Sequence, residues 1–198
     1  MKVCPVCGTN YPDEAAFCAR DRTPLGASAT GLVGRLLAER YQIERKLGEG
    51  GMGEVYLARH ILMGRASAIK VMSATLGRDP DAINRFNREA TNASRIDHPN
   101  VCAVYDFGVT PEGQLFLAME YLEGPTLTAA LARGPLPLER AGALLTQCAA
   151  GLPAAHELGI VHRDLKPDNI MLVERRGRET AKRVDFGIAK AGSADGSQ

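Results

Sequence analysis

Apolar positions between residues 41 and 71 come in short runs, at residues 41–44, 55–59 and 66–71, broken by glycine-bearing polar turns. Runs of this length and spacing predict strands of an antiparallel sheet. The period then changes. Over residues 81–97, Ala82, Phe86, Ala93 and Ile96 fall on one side at about 100° per residue, with Arg85, Arg88, Thr91, Asn92 and Arg95 elsewhere, so a helix is predicted. Glu89 lands within the apolar face. A carboxylate turned toward a core is costly unless a cation meets it, so this pattern asks for a basic partner. Two further strands (residues 101–107 and 115–121), a long helical stretch (138–158) and a hairpin (169–185) complete an α+β pattern. Pro153 interrupts the long helix, where an interior proline costs about 3 kcal/mol and predicts a bend. The small, polar tail at residues 191–198 is expected to fray.

Composition narrows the class. Of 198 residues, 45% are hydrophobic and 24% charged, which is globular rather than disordered. With 24 Lys and Arg against 23 Asp and Glu, no global field draws the chain to nucleic acid or anionic lipid. No signal pattern opens the sequence and no apolar stretch is long enough to span a bilayer, so a cytoplasmic location is expected. Three of the 5 cysteines crowd into the first eighteen residues, a usage that fits metal ligation in a reducing compartment better than disulfides. Cys102 and Cys148 lie in apolar patterns and are expected in the core.

Four segments carry chemistry. Residues 47–55 read Leu-Gly-Glu-Gly-Gly-Met-Gly-Glu-Val, a G-x-G-x-x-G between two strand runs. It has no Lys-Ser/Thr ending and no following helix, so neither a Walker loop nor a dinucleotide-binding turn fits. Glycines Gly48, Gly50 and Gly53 let backbone N–H groups approach phosphate oxygens, although an ordinary tight hairpin accounts for this motif equally well. Lys70 stands in the apolar strand Ser67-Ala68-Ile69-Lys70-Val71 and is the cation that Glu89 asks for. Ser67 is a mild polar intrusion in that strand.

The third segment, His162-Arg163-Asp164-Leu165-Lys166-Pro167-Asp168-Asn169, is a charged loop between an apolar helix end and the apolar run 170–173. Phosphoryl transfer to a hydroxyl needs a carboxylate to orient it and take its proton, and cations to offset charge, roles that suit Asp164 and Lys166. Fourth, Asp185-Phe186-Gly187 offers an anionic oxygen that complements the neutral amide of Asn169. A hairpin turn near Gly177 and Arg178 would pair Ile170 roughly with Asp185 and set both oxygens side by side as a Mg²⁺ seat.

In this order the segments resemble the bacterial members of the eukaryotic-type (Hanks-type) serine/threonine protein kinases. The resemblance implies a two-lobe kinase-like fold: an antiparallel sheet with one helix, then a partial helical lobe. It implies that Gly48, Gly50 and Gly53 cover the phosphates of ATP, that Lys70 pairs with Glu89, that Asp164 is the base, and that Asn169 and Asp185 hold Mg²⁺. Residues 119–124, Met-Glu-Tyr-Leu-Glu-Gly, resemble the hinge, with Met119 as gatekeeper and the backbones of Glu120 and Leu122 against adenine. Leu47, Val55 and Ala68 are the apolar walls of that pocket. Lys166 is similar to the serine/threonine branch rather than the tyrosine branch. The implied activity is transfer from Mg-ATP to Ser or Thr of a protein substrate that the sequence does not specify. Against the family pattern the chain stops after Asp-Phe-Gly, short of the substrate platform, so a nucleotide-binding but catalytically impaired fragment or pseudokinase-like regulator is the alternative. Helices from residue 138 on are expected to leave apolar faces uncovered.

The leader differs in kind. Cys4-Pro5-Val6-Cys7-Gly8 is half of a zinc knuckle, and Cys18-Ala19-Arg20-Asp21 repeats the spacing with Asp in fourth place. Residues 1–25 are therefore expected to form a zinc-ribbon-like element with Cys4, Cys7, Cys18 and Asp21 as ligands, ahead of a linker and lead-in (26–40) and the kinase domain (41–198). Reduced thiols in a turn-rich leader, or a C-x-x-C redox pair, remain the other readings.

Overall fold

The computed structural model describes residues 2–4, 7, 9–12, 15, 17–22, 31–50, 53–73, 79–110, 112–162, 164–175 and 177–184. The N-terminal element contributes a two-stranded antiparallel ladder, β1 (Lys2–Val3) with β2 (Asn10–Tyr11). The larger sheet has six strands: β3 (Leu36–Leu37), β4 (Tyr41–Gly50), β5 (Gly53–His60), β6 (Ala66–Met72), β7 (Val104–Val109) and β8 (Leu115–Glu120). Their spatial order is β3-β4-β5-β6-β8-β7, antiparallel throughout. Helix α1 (Pro80–Ala93) crosses between β6 and β7. Beyond β8 come α2 (Leu127–Leu131), α3 (Leu138–His156), a 3₁₀ turn (Pro167–Asn169) and the hairpin β9 (Ile170–Arg175) with β10 (Arg178–Arg183).

Side-chain alternation along β6 sorts the core. Ile69 and Val71 join Tyr41, Ile43, Tyr56, Ala58, Phe116 and Ala118 on one face. Ala68 and Met72 join Leu115, Leu117, Met119 and the α1 residues Phe86, Ala90 and Ala93 on the other. Period-two alternation puts Lys70 on this second, helix-bearing face between Ala68 and Met72. Both faces of β6 and β8 are covered, which is why these strands are apolar nearly throughout.

Helix α1 starts on Asp79, whose side chain accepts from the Asp81 N–H, with Pro80 at the first helical position. It ends at Ala93 rather than at the predicted residue 97: the Arg95 and Ile96 N–H groups turn to the Asn92 and Ala93 carbonyls, at 3.1 Å each, and these tighter i to i−3 bonds close the last turn. Strand β7 begins at Val104 instead of 101. Val101 bridges to Arg183, and the Cys102 N–H donates to the Arg183 carbonyl at 2.8 Å, so this backbone is claimed by β10. Pro153 is housed within α3, which continues to His156.

Helix α3 packs on β10 through Leu144, Ile170, Leu172 and Ala181, and Arg140 grips Glu179 with two bonds of 2.9 and 2.6 Å. Its other side leaves Leu138 and Leu145 exposed. No helix among the described residues is long and apolar enough to cross a membrane.

Candidate active site

A cavity of about 470 Å³ opens where the sheet meets the hairpin. Leu47 and Gly48 of β4, Val55 of β5, Ala68 and Lys70 of β6, and Met119, Glu120 and Leu122 at and after the end of β8 line it. These are residues the sequence nominates for the adenine and phosphate pocket. Tyr121 and Gly124 of the hinge stretch also line it, together with Cys102, Thr126, Met171 and Val184, which the sequence does not nominate. Met171 and Val184 lie just beyond the Asn169 motif and just before the Asp185 motif, and that adjacency was the available signal.

The glycine hairpin is held along its length. The Lys46 Nζ reaches Glu49 at 2.5 Å and Glu54 at 2.6 Å, which keeps the Glu54 carboxyl below its usual range. Gly53 sits at φ +140, and a Cβ there would fall 2.0 Å from the Val71 carbonyl, so only glycine lets the hairpin lie on β6. Gly48 faces the main cavity, whereas Gly50 and Gly53 border a neighbouring one of about 520 Å³ with Val71, Met72 and Gln114.

The connector from Glu120 to Thr126 forms the cavity's rear edge and rests on the hairpin. The Leu172 N–H donates to Pro125 O at 2.9 Å, and Thr126 bridges Met171. Gly124 adopts φ +156 with its missing Cβ position 2.0 Å from Leu172 O. The Glu120 side chain is buried. Its carboxylate receives Lys182 Nζ at 2.5 Å, the Arg175 guanidinium, and the Ala103 N–H at 3.4 Å. Lys182, also buried, donates to Val101 O at 3.3 Å.

Below the cavity, the loop after α3 brings its charged groups together. Asp164 Oδ2 is 3.0 Å from Lys166 Nζ and 3.0 Å from Asn169 Nδ2, and Nδ2 also donates to Asp164 O at 2.9 Å. Both of these hydrogen bonds use the amide nitrogen, which turns Asn169 Oδ1 the other way. The His162 ring contacts Val184 O at 3.1 Å, while the Val184 N–H donates to Asn169 O at 3.0 Å. The chain entering residue 185 is thus anchored beside Asn169. In the hairpin Ile170 pairs with Arg183, not with Asp185, because the register runs Arg175 to Arg178 and places the turn one residue earlier than assumed. Asp185, Phe186, Gly187 and Arg163 lie outside the described residues, as do linker residues 23–30 and the tail. Glu89 is half-buried on α1, beside Phe86 and Ala90, which pack on the same sheet face as Lys70.

A curled antiparallel sheet with one crossing helix, a cavity at its junction with a helical half, and a carboxylate-lysine-asparagine loop beneath define the protein kinase family, and the chain belongs to it: the protein kinase domain model matches residues 41–197. Among curated proteins it is 44% identical over 160 residues to the serine/threonine-protein kinase pkn3 of Myxococcus xanthus, and 43% identical over 161 residues to PrkC of Bacillus subtilis. These alignments cover 80% and 81% of this chain but 29% and 24% of those proteins, so the chain spans under a third of their length. Among solved structures, the PknI kinase domain of Mycobacterium tuberculosis superposes with a TM-score of 0.70 at 37% identity, covering 79% of this chain and 62% of that one. The fold expectation, α+β with a kinase-like sheet lobe, is borne out.

Proposed function

We propose that this chain transfers the γ-phosphoryl group of ATP to Ser or Thr hydroxyls of proteins. The observation that carries this reading is the loop cluster: Asp164 is held by Lys166 and Asn169 at 3.0 Å each, and Asn169 stands two residues before the cavity-lining Met171. In this reading Asp164 orients the substrate hydroxyl and accepts its proton. Lys166 stays beside the carboxylate and offsets charge on the phosphoryl group. Lys70, paired with Glu89, faces the phosphates, and Gly48, Gly50 and Gly53 cover them. Leu47, Val55, Ala68 and Met119 sandwich the adenine ring, and the backbones of Glu120 and Leu122 take its polar edge.

The donor set fits a hard cation: a neutral amide oxygen at Asn169, supplemented by the carboxylate of Asp185, suits Mg²⁺ that keeps phosphate and water as its other ligands. When bound, Mg²⁺ neutralises the phosphate oxygens. Similarity to the named serine/threonine kinases supports the class of acceptor, and the protein substrate stays unspecified.

The domain division follows: residues 1–25 as a separate metal element, 26–40 as linker and lead-in, and 41–198 as kinase domain. The N-terminal element takes zinc, an ion apart from the nucleotide's magnesium. Cysteine usage supports a cytoplasmic chain, and the near-neutral charge supports one without a nucleic-acid partner. The test is transfer of labelled γ-phosphate to a generic basic protein, with Asp164→Asn as control. Loss of transfer with ATP affinity retained is expected, and equal transfer by both proteins would remove Asp164 from the mechanism.

A further inference from the structure

The N-terminal element is too small to hold itself together by burial. Among the described residues its core cluster consists of Cys4 and Cys18, each 1% exposed, with Cys7, Tyr11 and Ala15 packed against them. Three of these five are cysteines, so a cross-link or a metal must replace the missing apolar surface. The cysteines among the described residues are unbridged.

Their arrangement has the shape of a coordination shell. One ligand atom from each of Cys4, Cys7, Cys18 and Asp21 lies within 4.8 Å of every other. Cys7 Sγ and Cys18 Sγ are 3.5 Å apart, and Cys4 Sγ is 3.3 and 3.5 Å from the two Asp21 oxygens. A tetrahedron built on zinc bonds of about 2.0–2.3 Å has edges of roughly 3.5–3.8 Å. The two close pairs are therefore opposite edges of one tetrahedron.

The surroundings are also those of anionic sulfur. The Ala19 N–H donates to the Tyr11 hydroxyl at 3.1 Å, which leaves the phenol proton to point at Cys18 Sγ, 3.2 Å away. The Arg20 N–H converges on the same sulfur at 3.4 Å, whereas Cys7 Sγ itself donates to Thr9 Oγ1 at 3.2 Å. The Cys4 N–H, bonded to Thr9 O at 2.9 Å, closes the turn that brings Cys7 back toward Cys4. Donors gathered on a ligand sulfur orient it and tune its hold on the metal.

We propose that Cys4, Cys7 and Cys18 as thiolates and Asp21 as a carboxylate bind one Zn²⁺, and that Tyr11 positions the Cys18 sulfur through its hydroxyl. This rests on the reading of residues 1–25 as a zinc element with Asp21 as fourth ligand and goes on to assign the donor that supports its Cys18 sulfur. A three-sulfur, one-oxygen shell, with the oxygen on an exposed residue, makes Asp21 the ligand through which the ion enters and leaves.

The test uses the whole chain, purified under reducing conditions and loaded with Zn²⁺ or with Co²⁺ as a spectroscopic substitute. One zinc per chain is expected by elemental analysis, with a tetrahedral Co²⁺ spectrum whose charge-transfer band corresponds to three thiolates. Asp21→Cys should raise that band to four thiolates and tighten binding. Tyr11→Phe should keep the three-thiolate spectrum while weakening zinc by about 10–100-fold. ATP affinity, read in the same samples, should not change, which shows that the kinase domain stays folded. Absence of zinc from the reduced wild-type chain after loading would overturn the zinc reading itself. Stoichiometric zinc with unchanged spectrum in Asp21→Cys, or unchanged affinity in Tyr11→Phe, would leave that reading standing and overturn the assignment of Asp21 or Tyr11.

Discussion

Replacing Glu120 by Gln removes the carboxylate that Lys182 and Arg175 share while keeping its shape. The two cations differ in what they lose. Arg175 is 56% exposed in its side chain and returns to water, but Lys182 is 5% exposed and, among the described residues, is left with neutral acceptors alone, the Val101 carbonyl and the new amide oxygen. Breaking a buried pair on one side leaves an uncompensated charge and costs about 3–5 kcal/mol. That is a large share of the roughly 5–15 kcal/mol that holds a domain folded. Replacing both partners with neutral groups of similar shape is by contrast close to neutral. The expected signature is therefore a reversal of sign: Lys182→Met, added to Glu120→Gln, should restore stability rather than lower it further. Urea denaturation of the reduced chain, extrapolated linearly, reads both differences. A Glu120→Gln variant within about 1 kcal/mol of wild type, or a double variant with additive losses, would refute the claim that Lys182 depends on this carboxylate.

Gly124→Ala should cost more than about 2 kcal/mol and weaken ATP binding, because the new Cβ meets Leu172 O and lifts the connector from β9; calorimetric titration with ATP checks this. Ser67 is buried with an Oγ that finds no partner among the described residues, so Ser67→Ala should raise stability by about 1 kcal/mol in the same urea assay. Tyr41 and Tyr56 are pushed up to about 12, first by burial and then by Asp106 and Glu54 respectively. Folding holds their protons, so this contribution is intact below the unfolded value near 10 and is lost as pH rises toward 12. Phenolate absorbance should show Tyr41 and Tyr56 titrating late, with Tyr11 and Tyr105 also raised, and stability should fall across that window.

Much of this was legible in the sequence for identifiable reasons. Strands β5, β6 and β8 announce themselves through apolar runs, and the α1 face through Phe86 and Ala93. The second half of β4 was invisible because residues 45–50 are exposed and, Leu47 apart, polar or glycine; only the backbone ladder to β5 makes them a strand. The loop motif predicted that Asp164, Lys166 and Asn169 act together, and the structure brings them within hydrogen-bond reach. Glu120 was nominated for its backbone alone. Its partners lie 55 and 62 residues further on, in the strand sequences Ile-Met-Leu-Val-Glu-Arg and Arg-Glu-Thr-Ala-Lys-Arg, where nothing local says that Lys182 is buried. The hairpin register failed by a small count at the turn, to which a two-stranded ladder is unforgiving.

The seating of Gly124 and Pro125 on Leu172 has a mechanical result. The connector moves with the helical half as one piece, and the Glu120 carboxylate fastens the end of β8 to the same piece. An opening of the cleft that keeps these contacts pivots near Glu120, where the end of β8, the connector and the hairpin are fastened together.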